Sequence, residues 1–223
     1  NIESNQSIEF RVDTMRPVSA IHTDPSAPDG ENGWFLWSPV IRLETEPRGE
    51  IFYRWDGGAE TRYLLTLLAA EGRHNLTYYA MDPAGNREEP QTFVVLVDST
   101  APKCSAALTP EAPDGSNGFY QSNLTIVLTT DPDATALYRW NFGKWLNYTG
   151  PLRAPEGQST LYYYATDEAG NRAQDQSLDV SVDTLPPKTT LSFEPDTGDE
   201  WMGETPSVAL ASEALARTFW FID

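Results

Sequence analysis

The chain repeats itself with a period of 85 residues, and no other feature limits its fold as much. Asp13 recurs as Asp98, PDGENGWF (28–35) as PDGSNGFY (113–120), YRW (53–55) as YRW (138–140), and DPAGNR (82–87) as DEAGNR (167–172). Set against each other without a gap, residues 13–97 and 98–182 share 34 identities in 85 positions. Identity at that level is a duplication, and the duplicated unit is long enough to hold a core of its own.

A third copy opens at Asp183, where VDT (182–184) matches VDT (12–14). After a three-residue deletion, Trp201, Val208, Leu210 and Trp220 match Trp34, Ile41, Leu43 and Tyr53. QSIEFRVD (6–13) likewise matches QTFVVLVD (91–98). The expected organisation is the last strand of one domain (1–12), whole domains at 13–97 and 98–182, and the first half of another (183–223). The two ends lack the positions equivalent to 57–85, so they are expected to belong to a longer run of such domains.

Inside a repeat the apolar residues alternate at a period of two, the mark of a strand with one buried face. Ile41 and Leu43, Ile51, Tyr53 and Trp55, and Leu76, Tyr78 and Ala80 are each predicted to face inward. Strands are expected near 18–23, 39–46, 50–56, 62–68, 74–82 and 90–97. The turn PAGN (83–86), with Gly85 free to take positive φ, should join the last two as a hairpin. Short strands at this spacing, with 17 Pro and 15 Gly for the turns, predict an all-β fold of tandem immunoglobulin-like (fibronectin-like) β-sandwich domains in a row. The proline-bearing links DSTAP (98–102) and DTLPP (183–187) are short, so a fairly stiff rod is expected.

Composition removes whole classes of function. Fifteen Lys and Arg against 33 Asp and Glu give a net charge of −18, a surface that repels phosphate backbones and excludes nucleic acid as a partner. The longest apolar runs, 64–70 and 93–97, are far short of a membrane helix, so no insertion of this segment is expected. A single cysteine, Cys104, makes no internal disulfide, and with only His22 and His74 beside it there is no zinc-type ligand set. There is no GxSxG elbow, no phosphate-cradling glycine loop and no Cys with a His partner, so the segment is not expected to be an enzyme.

The second copy runs YRWNFGKWLNYTGPLRAPEGQSTLYYYATDEAGNRAQ (138–174). With the opening VDTxxP and the PDGxNGWY loop, it resembles the bacterial and archaeal Ig-like repeat built from a YRxDGG turn, a WxxYxGP element, an EG turn and a closing YxATDxAGN hairpin. That family occurs in cell-surface, S-layer-like and adhesin-like proteins and as spacers in secreted glycoside hydrolases. The resemblance implies an extracellular, cell-surface location. It also implies a structural role in an S-layer, sheath, filament or stalk, with neighbouring copies or other surface proteins as partners. The alternative it implies is an accessory carbohydrate-directed or spacer region beside an enzyme or adhesive head. The first copy departs from the pattern: Glu60 stands where Trp145 does, and Leu65 and Thr66 where Gly150 and Pro151 do. A function resting on that element would exist in the second copy alone.

Three sets of residues are candidates for chemistry. Asp82 and Asp98 near one junction, and Asp167 and Asp183 near the next, have the oxygen ligands that Ca²⁺ takes, and Ca²⁺ is the one cofactor these residues suggest. The competing reading is the stronger: Asp82 precedes a Gly-containing turn and can cap its own amides, and neither DPAGN nor PDGENG spaces aspartates as a calcium loop does. Trp37 and Trp145, without counterparts in the other copy, are candidate sugar-stacking platforms, although large aromatics in a small sandwich more often pack. Asn5, Asn75, Asn123 and Asn147 each open an N-x-S/T triplet, 4 of the 10 asparagines, and on an extracellular archaeal or eukaryotic chain they are glycan acceptors.

Overall fold

The computed structural model describes residues 8–194, 207–213 and 216–220. Among them are sixteen strands and no helix; correspondingly, no described helix is long and apolar enough to cross a membrane. The first copy holds β1 (Ser19–Asp24), β2 (Val40–Thr45), β3 (Glu50–Trp55), β4 (Thr61–Arg62), β5 (Leu67–Leu68), β6 (Gly72–Met81) and β7 (Gln91–Val97). They form a three-stranded sheet in the order β1-β2-β5 and a four-stranded sheet in the order β4-β3-β6-β7. In β2, Ile41 and Leu43 are buried while Arg42 and Glu44 are exposed, the alternation of a strand with one wet face. Ile41 and Leu43 meet Ile51, Leu76, Tyr78 and Ala80 in one core, with Tyr53, Trp55 and Phe93 packed against it. Phe35, Ala69, Val95 and Val97 make a second cluster, also flanked by Trp55 and Phe93.

The second copy repeats the plan. Here β8 (Cys104–Thr109), β9 (Thr125–Thr130) and β12 (Leu152–Arg153) form the order β12-β9-β8. Its four-stranded sheet, β11-β10-β13-β14, is built from β10 (Thr135–Trp140), β11 (Leu146–Asn147), β13 (Gly157–Thr166) and β14 (Gln176–Val182). Burial recurs 85 positions on, from Ile41, Leu43, Leu76 and Val97 to Ile126, Leu128, Leu161 and Val182. The fold is therefore all-β, with tandem immunoglobulin-like, fibronectin-like sandwich domains. A further antiparallel hairpin joins β15 (Thr189–Glu194) to β16 (Ser207–Ser212), with Leu191, Val208 and Leu210 exposed; Trp201 lies outside the described residues.

Two features differ from the expected strands. The strand predicted near 62–68 is two short ones in different sheets: β4 pairs with β3 and β5 with β2, so the chain switches sheets at 63–66. Tyr63 anchors the crossing, its N–H donating to Ile51 O (2.8 Å) and its hydroxyl accepting the Leu43 N–H (3.1 Å). Residues 8–12 pair with no strand among the described residues, and Ile8, Phe10 and Val12 are exposed.

By compactness the chain divides into one unit of Asn1–Ala107, Leu128–Gly150 and Leu161–Leu178, and another of Leu108–Val127, Pro151–Thr160 and Asp179–Asp223. The first contains both sheets of the first copy, with β10, β11 and most of β13. The second contains β12, most of β14, and the β15–β16 hairpin.

Candidate functional site

Within the first unit, the loop 28–35 meets the hairpin turn 167–171. Asn-Gly at 32–33 supplies two residues with positive φ (52° and 84°), which Asn and Gly adopt at least cost. The loop closes on itself through Gly30 N–H to Trp34 O (3.0 Å) and Trp34 N–H to Glu31 O (3.0 Å), and Asp29 Oδ1 accepts the Leu36 N–H (2.8 Å). That shape aims the Glu31 N–H at Ala169 O (2.8 Å) and the Asn32 side-chain amide at Glu168 O (2.9 Å). A Cβ on Gly30 would lie 2.5 Å from Ala169 O, so the approach itself needs glycine. Ala169 is 1% exposed, whereas its counterpart Ala84 is exposed. On the other side of the hairpin, Asn171 Nδ2 donates to Asp98 O (2.9 Å), and the Asp98 N–H donates to Phe35 O (2.9 Å). The Ser99 N–H donates to Glu71 (3.2 Å) and its hydroxyl to the same carboxylate. The link between the copies is thus held at successive residues.

The outer faces of the two four-stranded sheets share a plan, with Arg54, Tyr79 and Arg87 kept as Arg139, Tyr164 and Arg172, and differ where Phe52, Glu60 and Thr77 become Leu137, Trp145 and Tyr162. In the first copy, Phe52 stacks on Tyr79 with centroids 5.5 Å apart, and the Arg87 guanidinium lies 3.8 Å over the Tyr79 ring. Glu60 faces Arg87 at 3.9 Å; burial first, then the neighbouring Glu60 carboxylate, raise the Tyr79 pKa above its ordinary value. In the second copy Trp145 replaces Glu60. Its ring meets Tyr164 edge-on (4.6 Å), Arg172 covers Tyr164 at 3.9 Å, and the Arg139 guanidinium lies 4.8 Å from Trp145 and 4.9 Å from Tyr162. Arg139 Nε is buried without a hydrogen-bond partner, and the guanidinium lies against both ring faces.

The structure distributes the sequence candidates as follows. Asp82 and Asp98 are at opposite ends of β6, since Gly72 pairs with Val97 and Asp82 follows Met81; ten residues of strand put them roughly 30 Å apart. Asp82 is buried in its own turn, Oδ1 accepting the Asn86 N–H (2.8 Å) and Oδ2 the Asn86 amide (2.8 Å), and the side-chain bond from Asn86 leads in lowering its pKa. Asp167 makes the same Oδ1 bond to Asn171 N–H (2.8 Å), and Asp183 Oδ1 accepts from Leu185 (3.3 Å) while its N–H donates to Tyr120 O (2.9 Å). Among the described residues no three His, Cys, Asp or Glu side chains gather to hold a metal ion. Trp37 is 70% exposed and Trp145 is half-buried. Asn75, Asn123 and Asn147 are exposed, Asn123 accepting a bond from Arg153; Asn5 lies outside the described residues.

Two polar clusters of the first copy escaped the sequence reading. Glu88, half-buried, accepts from Ser19 N–H (3.0 Å), Ser19 Oγ (2.5 Å), Ala80 N–H (2.9 Å) and Gln91 Nε2 (2.6 Å). Burial pushes its pKa up, and the four bonds together outweigh that and hold it below the ordinary value. His74 Nδ1 is 2.7 Å from Asp56 Oδ2 and Nε2 is 3.0 Å from Glu71 O. The Asp56 bond leads in raising the His74 pKa, and the His74 bond in lowering that of Asp56. The second copy has Ala173 and Cys104 for Glu88 and Ser19, and Ser159 and Asn141 for His74 and Asp56. The missed loop-to-hairpin contact had one signal in the sequence: both of its elements, PDGxNG and DxAGN, are kept in both copies.

No protein-family model matches the sequence, and no curated protein matches it. Solved structures do. Fibronectin(III)-like modules of Clostridium thermocellum CbhA align over 73% of this chain and 94% of theirs, at 18% identity and a TM-score of 0.34. The Bacteroides ovatus mixed-linkage glucan utilization locus protein SGBP-B, in complex with a mixed-linkage heptasaccharide, aligns over 89% of this chain and 61% of its own, at 13% identity and a TM-score of 0.27.

Proposed function

We propose that this chain is a non-catalytic structural repeat of an extracellular, cell-surface protein, an S-layer, sheath, filament or stalk component whose sandwiches supply length and stiffness. The observation that carries the reading is the joint between the copies, where Glu31 and Asn32 donate to Ala169 and Glu168 and Ala169 is buried. A link that served only as a tether would not tie its neighbours by backbone bonds. The sequons at Asn75, Asn123 and Asn147 stand exposed, where glycans would attach. The test is Asn32→Asp, which turns a donor into an acceptor opposite the Glu168 carbonyl and keeps a residue that tolerates positive φ. NMR relaxation should show both copies tumbling with one correlation time in the parent and with separate, shorter ones in the variant. Separate correlation times in the parent would defeat the reading.

A second reading, an accessory carbohydrate-directed spacer, is favoured by the face around Trp145, Tyr162 and Tyr164, which the first copy lacks. Electrophoresis through polysaccharide-loaded gels should show retardation that Trp145→Ala abolishes if that face binds glycan.

A further inference from the structure

The N-x-S/T triplets at Asn75, Asn123 and Asn147 differ in what surrounds them. Two positions before the asparagine stand Arg73, Gln121 and Trp145 respectively. Asn123 already accepts a bond from Arg153, and Asn75 lies on β6, between β3 and β7. Asn147 is exposed on β11, at the edge of the sheet β11-β10-β13-β14. Alternation along a strand puts residues 145 and 147 on one face. Across the sheet Asn147 is opposite Leu137, and Leu137 is opposite Tyr164, whose ring meets that of Trp145 at 4.6 Å. The acceptor amide and the aromatic cluster therefore share the outer face of one sheet, within the first unit.

The duplication supplies a second observation. At the positions of Trp145, Asn147, Thr149 and Tyr162 the first copy has Glu60, Arg62, Leu64 and Thr77. The triplet and the rings are present together in one copy and absent together from the other, where Arg62 pairs with Glu50 (2.7 Å). Their coincidence has a chemical reason. A pyranose presents a face of C–H groups that packs on an aromatic ring, and indole is the largest ring a side chain offers. Two strand residues separate the Asn147 and Trp145 backbones by roughly 7 Å, so a sugar on the Asn147 amide starts within its own breadth of the indole.

We propose that Asn147 carries an N-linked glycan whose first sugar lies with its C–H face on Trp145, so that the aromatic face of the second copy is a seat for the chain's own glycan. Attachment forms a bond between the Asn147 side-chain nitrogen and the anomeric carbon of a lipid-phosphate-linked sugar donor. The bond from that carbon to the phosphate oxygen breaks, the phosphate leaves with the electron pair, and the amide gives up one proton to the transferring enzyme's base. The proposal rests on reading the chain as part of an extracellular surface protein. It departs from the carbohydrate-directed reading, since the sugar is covalently held and no affinity for free polysaccharide is needed.

The test is secretion of the 223-residue chain from a eukaryotic host, whose N-glycans begin with N-acetylglucosamine, with glycopeptide mass spectrometry, NMR and calorimetry. Asn147 should be occupied, and the protons of its first N-acetylglucosamine should be shifted upfield by the indole ring current, a shift that Trp145→Ala removes. The transition of the second copy should lie roughly 4 °C or more above that of the bare chain made in a bacterial host. That gain should be lost in Thr149→Ala, which blocks attachment at Asn147 and keeps the ring, and in Trp145→Ala, which keeps the glycan and removes the ring. A bare Asn147 on a chain glycosylated at Asn75 or Asn123 overturns the proposal, and so does a glycan at Asn147 with neither the ring-current shift nor the thermal gain. A chain bare at all three overturns it together with the reading of these asparagines as surface glycan sites, whereas the joint between the copies is judged separately by relaxation.

Discussion

Two copies with the same skeleton solve their edges with different chemistry. The buried positions of the first sandwich recur in the second, yet where the first closes its outer face with Glu60, Arg87 and Tyr79, the second uses Trp145, Arg139, Tyr162 and Tyr164. Where the first gathers four donors on Glu88, the second has Ala173 and Cys104. After duplication the core is constrained by shape, since every buried side chain fills a space that its neighbours define. Surface and edge clusters are constrained only to satisfy their own polar groups, so an ion pair and an aromatic sandwich are interchangeable there.

The largest expected effect comes from Glu88→Ala. It strands the Ser19 and Ala80 N–H groups, and an unmade buried bond costs about 1–3 kcal/mol, so the first copy should lose about 2–3 kcal/mol. At 4–8 °C per kcal/mol for a domain of this size, its calorimetric transition should fall by roughly 10 °C or more while that of the second copy stays in place. A parallel fall of both would show that the copies unfold as one.

Trp145→Ala should cost less, about 1–2 kcal/mol, from the lost edge contact with Tyr164 and one of the two rings against Arg139. Glu60→Ala, at the same place in the first copy, removes an exposed 3.9 Å ion pair and should stay under about 1 kcal/mol. If urea melts gave the two substitutions equal cost, the outer faces would be equivalent after all.

The smallest effect separates the copies by pH. The folded pKa of His74 is raised, so its contribution is complete below the ordinary histidine value and is lost as pH rises through the folded one. That of Asp56 is lowered, so its share is present above the ordinary aspartate value and is lost as pH falls through the folded one. The transition of the first copy should therefore drop slightly between pH 6 and 9, and that of the second should not. Calorimetry of His74→Ser should remove this slope; a slope that survives would place it elsewhere.

The strands were legible because a half-buried strand writes its burial into every second residue; Ile41, Leu43, Leu76 and Ala80 were placed inward from that pattern alone. The strand near 62–68 was misjudged because Leu64 and Leu65 continue the apolar run while the chain is in fact leaving one sheet for the other, with both side chains exposed. The state of Trp145 was not legible, since whether an aromatic is a platform or a packed ring depends on Arg139 and Tyr164 from other strands. Nor was the joint, whose partners are 136 residues apart at Asn32 and Glu168. Turn chemistry explained each element locally and left nothing over to suggest that they meet.

The glycines that let these loops turn also expose them to time. In an Asn-Gly pair the backbone nitrogen after the asparagine is unshielded by any side chain. It can attack the asparagine side-chain carbonyl and expel ammonia, leaving a cyclic imide that water opens to aspartate or its iso form. Asn32-Gly33 and Asn117-Gly118 are both such pairs. At 32 the product is a carboxylate where the joint needs a donor. Asn32 has its amide nitrogen engaged by Glu168 and its loop held against the turn, which slows the cyclic attack. Asn117 stands at the rim of an open groove. An old molecule should therefore carry its chemical damage at 117 before 32, while the joint at Asn32 stays sound.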